Sequence, residues 1–340
     1  MPAPLVSVLM PAYNAAATLA AALESLRVQT LDDFEVVAVD DGSNDDTGRI
    51  LEAWQPLGPR LRPFRLAHQG LIGALNHGLQ QCRGRYIARM DADDLCHPHR
   101  LQEQVRLLEE HPEVSVAGSL VETFPREQVG QGFRLYEEWL NRLVTDADIR
   151  REIFIESPIP HPSAMLRRQE LLDLGGYEER GWPEDYDLWL RYAAAGRVFA
   201  KVPQVLLYWR EHPARLTHTD SRYSVENFLR AKAHYLLQGP LRQRDAVFVW
   251  GAGKTGRRLS KHLIRGGCCL AAFVDIDPGK IGKRLRQVPI ADASELPHLW
   301  QQARRPLLLA AVSSRGARAL IRQEMARLGL AEGADFLCVA

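Results

Sequence analysis

Cysteine is scarce in this chain, and the five present, Cys82, Cys96, Cys268, Cys269 and Cys338, fall in no paired spacing. An odd count with two adjacent members argues against a disulfide framework or a zinc site, and a reducing compartment is expected. No stretch approaches the ~20 apolar residues of a membrane span. The opening Met1-Pro2-Ala3-Pro4 has no basic leader region and runs directly into an apolar strand. Net charge is also missing, since 43 Lys and Arg against 42 Asp and Glu leave +1. That balance gives no global pull toward nucleic acid. The short basic runs Arg60-Leu61-Arg62 and Lys283-Arg284-Leu285-Arg286 read as solvated surface. Repeats and low-complexity tracts are absent as well. What remains is a soluble, cytoplasmic globular chain of 340 residues, long enough for two domains. A soluble enzyme can still visit the inner face of a membrane.

The pattern along the chain alternates strand and helix. Apolar, β-branched runs at Leu5–Met10, Glu35–Val39, Arg62–Ala67 and Tyr86–Met90 read as strands. Helical spacing marks Ala15–Gln29, Asp45–Trp54 and Gly73–Gln81 between them. Such alternation predicts an α/β fold with a doubly wound, mainly parallel sheet, whose ligands sit at the carboxyl ends of the strands. Both acidic clusters, Asp40-Asp41 and Asp91–Asp94, fall at such ends. Further on, Glu138–Glu156, Leu166–Gly175, Glu184–Ala195 and Asp220–Leu237 read as helices, and Val198–Pro203 and Val205–Trp209 as strands. The pattern then restarts with strands at Ala246–Trp250, Ala271–Asp275 and Leu307–Ser313 and helices at Lys254–Ile264 and Arg315–Leu328. The expected division is 1–242 and 243–340, the second part a small Rossmann-like domain.

Asp91-Ala92-Asp93 stands just past a strand, and two carboxylates so spaced can enter one cleft as the chain leaves the sheet. Mg²⁺ and Mn²⁺ favour hard oxygen ligands and bind one or two carboxylates together with substrate phosphates. Taken alone, the same spacing is also a common turn or helix cap. Its context narrows the choice. Pro11-Ala12-Tyr13-Asn14 follows the first strand, and Asp40-Asp41-Gly42-Ser43-Asn44-Asp45-Asp46-Thr47 the second. Asn76-His77-Gly78 and Gly84-Arg85-Tyr86-Ile87 precede Ala88-Arg89-Met90-Asp91-Ala92-Asp93-Asp94. After these come His161-Pro162-Ser163-Ala164-Met165, Gly175-Gly176-Tyr177, Glu184-Asp185-Tyr186-Asp187 and Tyr208-Trp209-Arg210-Glu211-His212. This ordered set, over about residues 4–220, resembles the family 2 glycosyltransferases of the GT-A fold.

The resemblance implies a metal-assisted, inverting transfer of a hexosyl or N-acetylhexosaminyl group. The donor would be a UDP- or dTDP-sugar, and the acceptor an unnamed hydroxyl on a glycan or lipid-linked sugar. It implies that Tyr13, with Pro11 beside it, lies against the nucleobase, and that Asp41 accepts from a base N–H. Asp91 would face ribose or metal, and Asp93 would be the main protein ligand of Mg²⁺ or Mn²⁺. Arg210 and His212 would meet the diphosphate, His212 also as a metal ligand. Trp209 departs from the more usual tyrosine before the arginine. Asp185 would be the general base and Glu184 a partner of a sugar hydroxyl. Asp185 could otherwise serve the helix dipole. Asp187 lies four residues before Arg191 and pairs with it, and Asp40 caps a helix or fixes its loop. Trp182 either stacks on a sugar or packs its loop; His218 is a weaker candidate than His212, and His97 and His99, flanking Pro98 in a turn, read as surface residues.

Gly251-Ala252-Gly253-Lys254-Thr255-Gly256 follows a strand and opens a helix, with Asp275 at the next strand end. That is the dinucleotide fingerprint in order and context. The unit is short and carries no hydride-transfer residues, so two readings stand: a nucleotide site on Gly251, Gly253, Gly256 and Asp275, or a structural appendage that could pair two copies as a homodimer. Rival functions are an NAD-dependent oxidoreductase centred here and a non-catalytic sugar-nucleotide-binding protein.

Overall fold

The computed structural model describes residues 3–340. The first elements are β1 (Val6–Ala12), α1 (Leu19–Arg27), β2 (Phe34–Asp40), α2 (Thr47–Ala53), β3 (Leu61–Arg65), α3 (Leu71–Gln81), β4 (Tyr86–Arg89) and β5 (Leu95–Cys96). They are followed by α4 (Arg100–Glu110), β6 (Val114–Phe124), α5 (Gln131–Arg142), α6 (Asp146–Glu152), β7 (Met165–Arg167), α7 (Arg168–Asp173), α8 (Glu184–Ala194) and β8 (Val198–Arg210). Then come α9 (Leu216–Thr219), α10 (Val225–Gln238), β9 (Ala246–Trp250), α11 (Lys254–Arg265), β10 (Leu270–Asp275), β11 (Arg284–Leu285) and β12 (Val288–Asp292). The chain closes with α12 (Leu296–Gln301), β13 (Pro306–Ala310), α13 (Ala317–Arg327) and β14 (Phe336–Cys338).

Packing divides these into two compact units: residues 1–149, 158–180 and 187–219, and residues 150–157, 181–186 and 220–340. The first unit holds an eight-stranded sheet in the order β3-β2-β1-β4-β7-β6-β8-β5. β1 is central and fully buried, pairing in parallel with β2 and β4. A strand whose two faces are both covered is largely apolar, and the one polar side chain here, Ser7, is satisfied by buried Glu35 at 2.7 Å. Leu19, Leu23 and Leu26 of α1 are buried at the helical spacing read from the sequence. The fold is α/β, with β7 and β5 antiparallel to their neighbours.

Three elements differ from expectation. The two expected strands around Pro203 are one strand, β8, which carries its extra residues as bulges where its pairing with parallel β6 shifts register between Ser119 and Val121. The expected helix Glu138–Glu156 breaks before residue 146, where Thr145 and Asp148 exchange side-chain-to-backbone hydrogen bonds at 3.2 Å, starting α6 afresh. Leu166–Gly175 opens as strand β7, since residues 165–167 fill the gap between β4 and β6.

The second unit carries a sheet ordered β11-β12-β10-β9-β13-β14, parallel apart from the β11–β12 hairpin. Val247, Val249, Leu259, Leu263, Phe273, Leu307 and Leu309 form its core together with Leu229, Ala233 and Leu236 of α10. Helix α10, placed by the sequence before the boundary at 242, therefore packs in the second unit. Two interior segments join it. Buried Glu152 receives Arg318 at 3.4 Å and Arg322 at 2.5 Å. The Lys232 ammonium donates to the carbonyls of Ile155 (2.6 Å) and Val339 (3.2 Å). Among the described residues, no helix is long and apolar enough to cross a membrane.

Candidate active site

In a parallel sheet the chain leaves every strand at the same edge, so the loops after β1, β2 and β4 meet there. Hydrogen bonds tie the first two together. The Asn14 N–H donates to Ser43 Oγ (2.9 Å), and the Asn44 N–H to Asn14 Oδ1 (2.9 Å). Gly42, at φ 74, makes the turn possible; a side chain there would also press its Cβ to 2.8 Å from the His68 nitrogen. Thr18, just before α1, donates to the Ala92 carbonyl at 3.0 Å, binding the third loop to the first.

Tyr13 is 47% exposed, a large amount for an aromatic ring on a structured edge. The ring of His68 stacks on it at 4.3 Å between centroids. His68 Nδ1 lies 2.8 Å from Asp41 Oδ2 and 3.0 Å from the Asp41 carbonyl. Both partners are acceptors, which assigns the ring hydrogen to Nδ1. The buried Asp41 carboxylate also accepts the N–H groups of Gln69 (2.8 Å) and Gly70 (2.9 Å). Asp41 thus fixes the 68–70 loop beside the ring of Tyr13. Asp40 accepts from the Ser43 N–H at 2.9 Å and fixes its own loop. Pro11 is buried near the end of β1.

The acidic cluster follows β4. Oxygens of Asp91, Asp93 and Asp94 lie within 4.8 Å of one another. The short strand β5 pairs antiparallel with the end of β8, Leu95 opposite Tyr208, so the chain leaving β8 passes the cluster. There His212 Nε2 meets Asp93 Oδ2 at 2.9 Å. Arg210 donates its Nε–H to the Asp93 carbonyl (2.6 Å) and its backbone N–H to Asp94 Oδ1 (2.8 Å), and its guanidinium lies 4.5 Å over the Phe124 ring. Asp91 pairs with the buried guanidinium of Arg89. Asp94 is 1% exposed, and its Oδ2 has no hydrogen-bond partner among the described residues. Burial first, and then the neighbouring carboxylates, push the Asp94 carboxyl well above the usual range; the same causes raise Asp93, against the pull of His212.

The expected base lies at the start of α8. Asp185 is half-buried, and Ser157 Oγ is 3.4 Å from its Oδ2. Glu184 is buried and accepts the Tyr223 hydroxyl at 2.9 Å. Asp187 takes the structural role read for it, accepting Arg191 Nε at 2.8 Å with no exposure of its own. Trp182 is buried and packs on His234 at 5.4 Å, which favours the loop-packing option. His218 is held by Glu211 at 2.7 Å.

The glycosyl transferase family 2 profile matches residues 7–175. The amylovoran biosynthesis glycosyltransferase AmsE of Erwinia amylovora is 34% identical over 205 residues, 59% of this chain and 74% of that one. The putative glycosyltransferase EpsE of Bacillus subtilis is 32% identical, over 66% of this chain and 79% of its own. The chain belongs to glycosyl transferase family 2. A crystal structure of S. aureus TarS with UDP-GlcNAc, 22% identical, superimposes with a TM-score of 0.56, covers 76% of this chain and 72% of that one, and shares the fold.

The family profile ends before the C-terminal glycine loop, which has its own logic. Gly251, at φ 107, turns the chain where a Cβ would meet Val312 at 2.6 Å. Around Gly253 there is open space, while at Gly256 a Cβ would fall 1.9 Å from the Gly251 carbonyl, so the helix lies tight on the loop. Asp275 does not present a free carboxylate. It accepts the N–H of Ala252 (2.8 Å) and of Asp277 (3.0 Å) and pairs with Lys280 at 3.2 Å. Burial opposes ionisation there, but these hydrogen bonds prevail and hold the carboxyl below its usual range. Such an acid props the glycine loop, which supports the structural reading over an oxidoreductase.

Sequence reasoning passed over His68, Arg89, Asp94, Ser157 and Tyr223. Asp94 could have been found, being the third acid of an Asp-x-Asp-Asp run. The others meet their partners only through folding: His68 and Arg89 beside Asp41 and Asp91 in the first unit, Ser157 and Tyr223 beside Asp185 and Glu184 in the second.

Proposed function

We propose that this family 2 glycosyltransferase moves a hexosyl or N-acetylhexosaminyl group, with inversion, from a UDP- or dTDP-sugar to a glycan or lipid-linked hydroxyl. The observation that carries the reading is the carboxylate group of Asp91, Asp93 and Asp94, within 4.8 Å, with His212 at 2.9 Å from Asp93. Its donors are hard oxygens plus one imidazole, and the buried, unpartnered Asp94 Oδ2 is an oxygen that a cation would satisfy. These residues fit Mg²⁺ or Mn²⁺. When bound, such an ion neutralises the diphosphate as it leaves. A relative named for amylovoran biosynthesis supports placing the reaction in glycan assembly.

The chain's own residues divide the remaining work. Tyr13 offers its ring face to a uracil or thymine, and Asp41 an oxygen to the imide N–H. Arg210 donates to diphosphate oxygens. Asp185 takes the proton of the acceptor hydroxyl while that oxygen bonds to the anomeric carbon. The bond from that carbon to the diphosphate oxygen breaks on the opposite face, so the configuration inverts. Calorimetry with UDP and Mn²⁺ tests the reading. Asp93→Ala should abolish the Mn²⁺-dependent part of UDP binding in a folded protein, and undiminished binding would refute the metal assignment.

A further inference from the structure

The near-zero net charge conceals a separation. Residues 220–340 contain 20 Lys and Arg against 10 Asp and Glu, a formal +10; residues 1–219 contain 23 against 32, a formal −9. The two interior segments that join the second unit, 150–157 and 181–186, bring that whole unit to +8. Charge divided in this way speaks of contact with an anionic surface, because solubility alone is served by mixed signs.

The excess positive charge is arranged on one face. On α11, Lys254, Arg257, Arg258, Lys261 and Arg265 recur at three- and four-residue spacing, opposite the buried Gly256, Leu259 and Leu263. The β11–β12 hairpin reaches α11, where Arg286 Nη1 donates to Ser260 Oγ at 3.3 Å. It adds exposed Lys283, Arg284 and Arg286. Glu226 is the acid at the stripe, meeting Arg258 at 3.5 Å, Lys261 at 3.4 Å and His262 at 2.9 Å. Among the described residues, Lys254, Arg257, Arg265, Lys283, Arg284 and Arg286 enter no ion pair.

We propose that this face is a docking surface for the anionic headgroups of a membrane. Two observations favour lipid over nucleic acid. Val225, next to Glu226, is 60% exposed and gives the basic stripe an apolar flank, the combination that suits an interface. Among the described residues, no aromatic side chain of 220–340 is exposed, so the stacking platforms that single-stranded nucleic acid uses are missing. The negative stretch 1–219 is repelled by the same headgroups, so only the second unit is drawn to the bilayer. The inference rests on charge and not on the transferase reading.

Each basic residue near an anionic bilayer strengthens binding about fivefold, so three of them amount to about a hundredfold. The test is co-sedimentation of the 340-residue protein with phosphatidylcholine vesicles, with and without about one-third phosphatidylglycerol. Binding should require phosphatidylglycerol and fall steeply with added salt. The variant Arg257→Gln, Arg265→Gln, Arg284→Gln should lose about a hundredfold in affinity, with unchanged melting temperature and Mn²⁺-dependent UDP binding. Equal binding to both vesicles, an undiminished triple variant, or tighter binding to single-stranded RNA than to anionic vesicles at the same salt would each overturn the proposal.

Discussion

Replacing Asp94 by asparagine should stabilise the metal-free protein while weakening its hold on Mn²⁺. Asp94, Asp93 and Asp91 bring oxygens within 4.8 Å of one another, and Asp94 is 1% exposed. Two like charges at that distance repel by about 3 kcal/mol at an effective dielectric near 20. The unpartnered Oδ2 adds a desolvation cost of about 1–3 kcal/mol. Where the carboxyl instead holds a proton, the same penalty has been taken as proton uptake, and asparagine removes it in either form. Against this, the 2.8 Å bond from the Arg210 N–H goes to a neutral acceptor and weakens by about 1 kcal/mol. The balance is a gain of about 2 kcal/mol or more, which raises the melting temperature by about 5 °C in a domain of this size. Thermal scans in EDTA, and again with Mn²⁺ and UDP, read both effects. If Asp94→Asn melts below the wild type in EDTA, Asp94 is a structural acid and the argument from repulsion is wrong.

Three further outcomes are expected. Asp185→Asn should cut acceptor-dependent UDP release by about 10²–10⁴-fold with UDP affinity unchanged, because only a proton acceptor is lost; near-normal turnover in a folded variant would pass the role to Glu184. Burial holds the Lys201 ammonium down to about 7 from an ordinary 10.5, its Nζ donating to the Leu140 carbonyl at 2.7 Å. The folded protein therefore binds fewer protons than the unfolded chain between those values, and stability should rise with pH across them by up to about 5 kcal/mol. Urea unfolding of Lys201→Met should show that rise removed. Deleting residues 243–340 should leave an aggregating protein, as it strips the apolar face of α10 and takes Arg318 and Arg322 from buried Glu152; a soluble, cooperatively melting truncation would contradict this.

The sequence is most legible where one strand meets one motif. β1, β2 and β4 are buried on both faces, so a mostly apolar run followed by Asp or Pro-x-Tyr marks both the strand and its functional edge. β6 escaped notice because its Gly118 and Ser119 interrupt the apolar run, and their places are set by β8 and β7. Arg89 ends β4 and Asp91 lies in the loop beyond it, where strand alternation no longer sets direction; their pairing is visible only after folding. Glu35, buried at the other edge, gathers Ser7 at 2.7 Å, Arg62 at 2.9 Å and Arg83 at 2.6 Å from three separate places in the chain. Only the fold brings such a set together, and no spacing announces it.

Because residues 150–157 and 181–186 pack with 220–340, the second unit is discontinuous in the chain. A ribosome finishes Asp185 more than 150 residues before it finishes Ala340. At about 5–20 residues per second, that interval is about 8–30 s. During it the first unit can close its sheet, while the segment bearing Asp185 has no framework to enter. The Asp91–Asp94 cluster can therefore form on the nascent chain, while the segment bearing Asp185 waits for residues 220–340 to arrive.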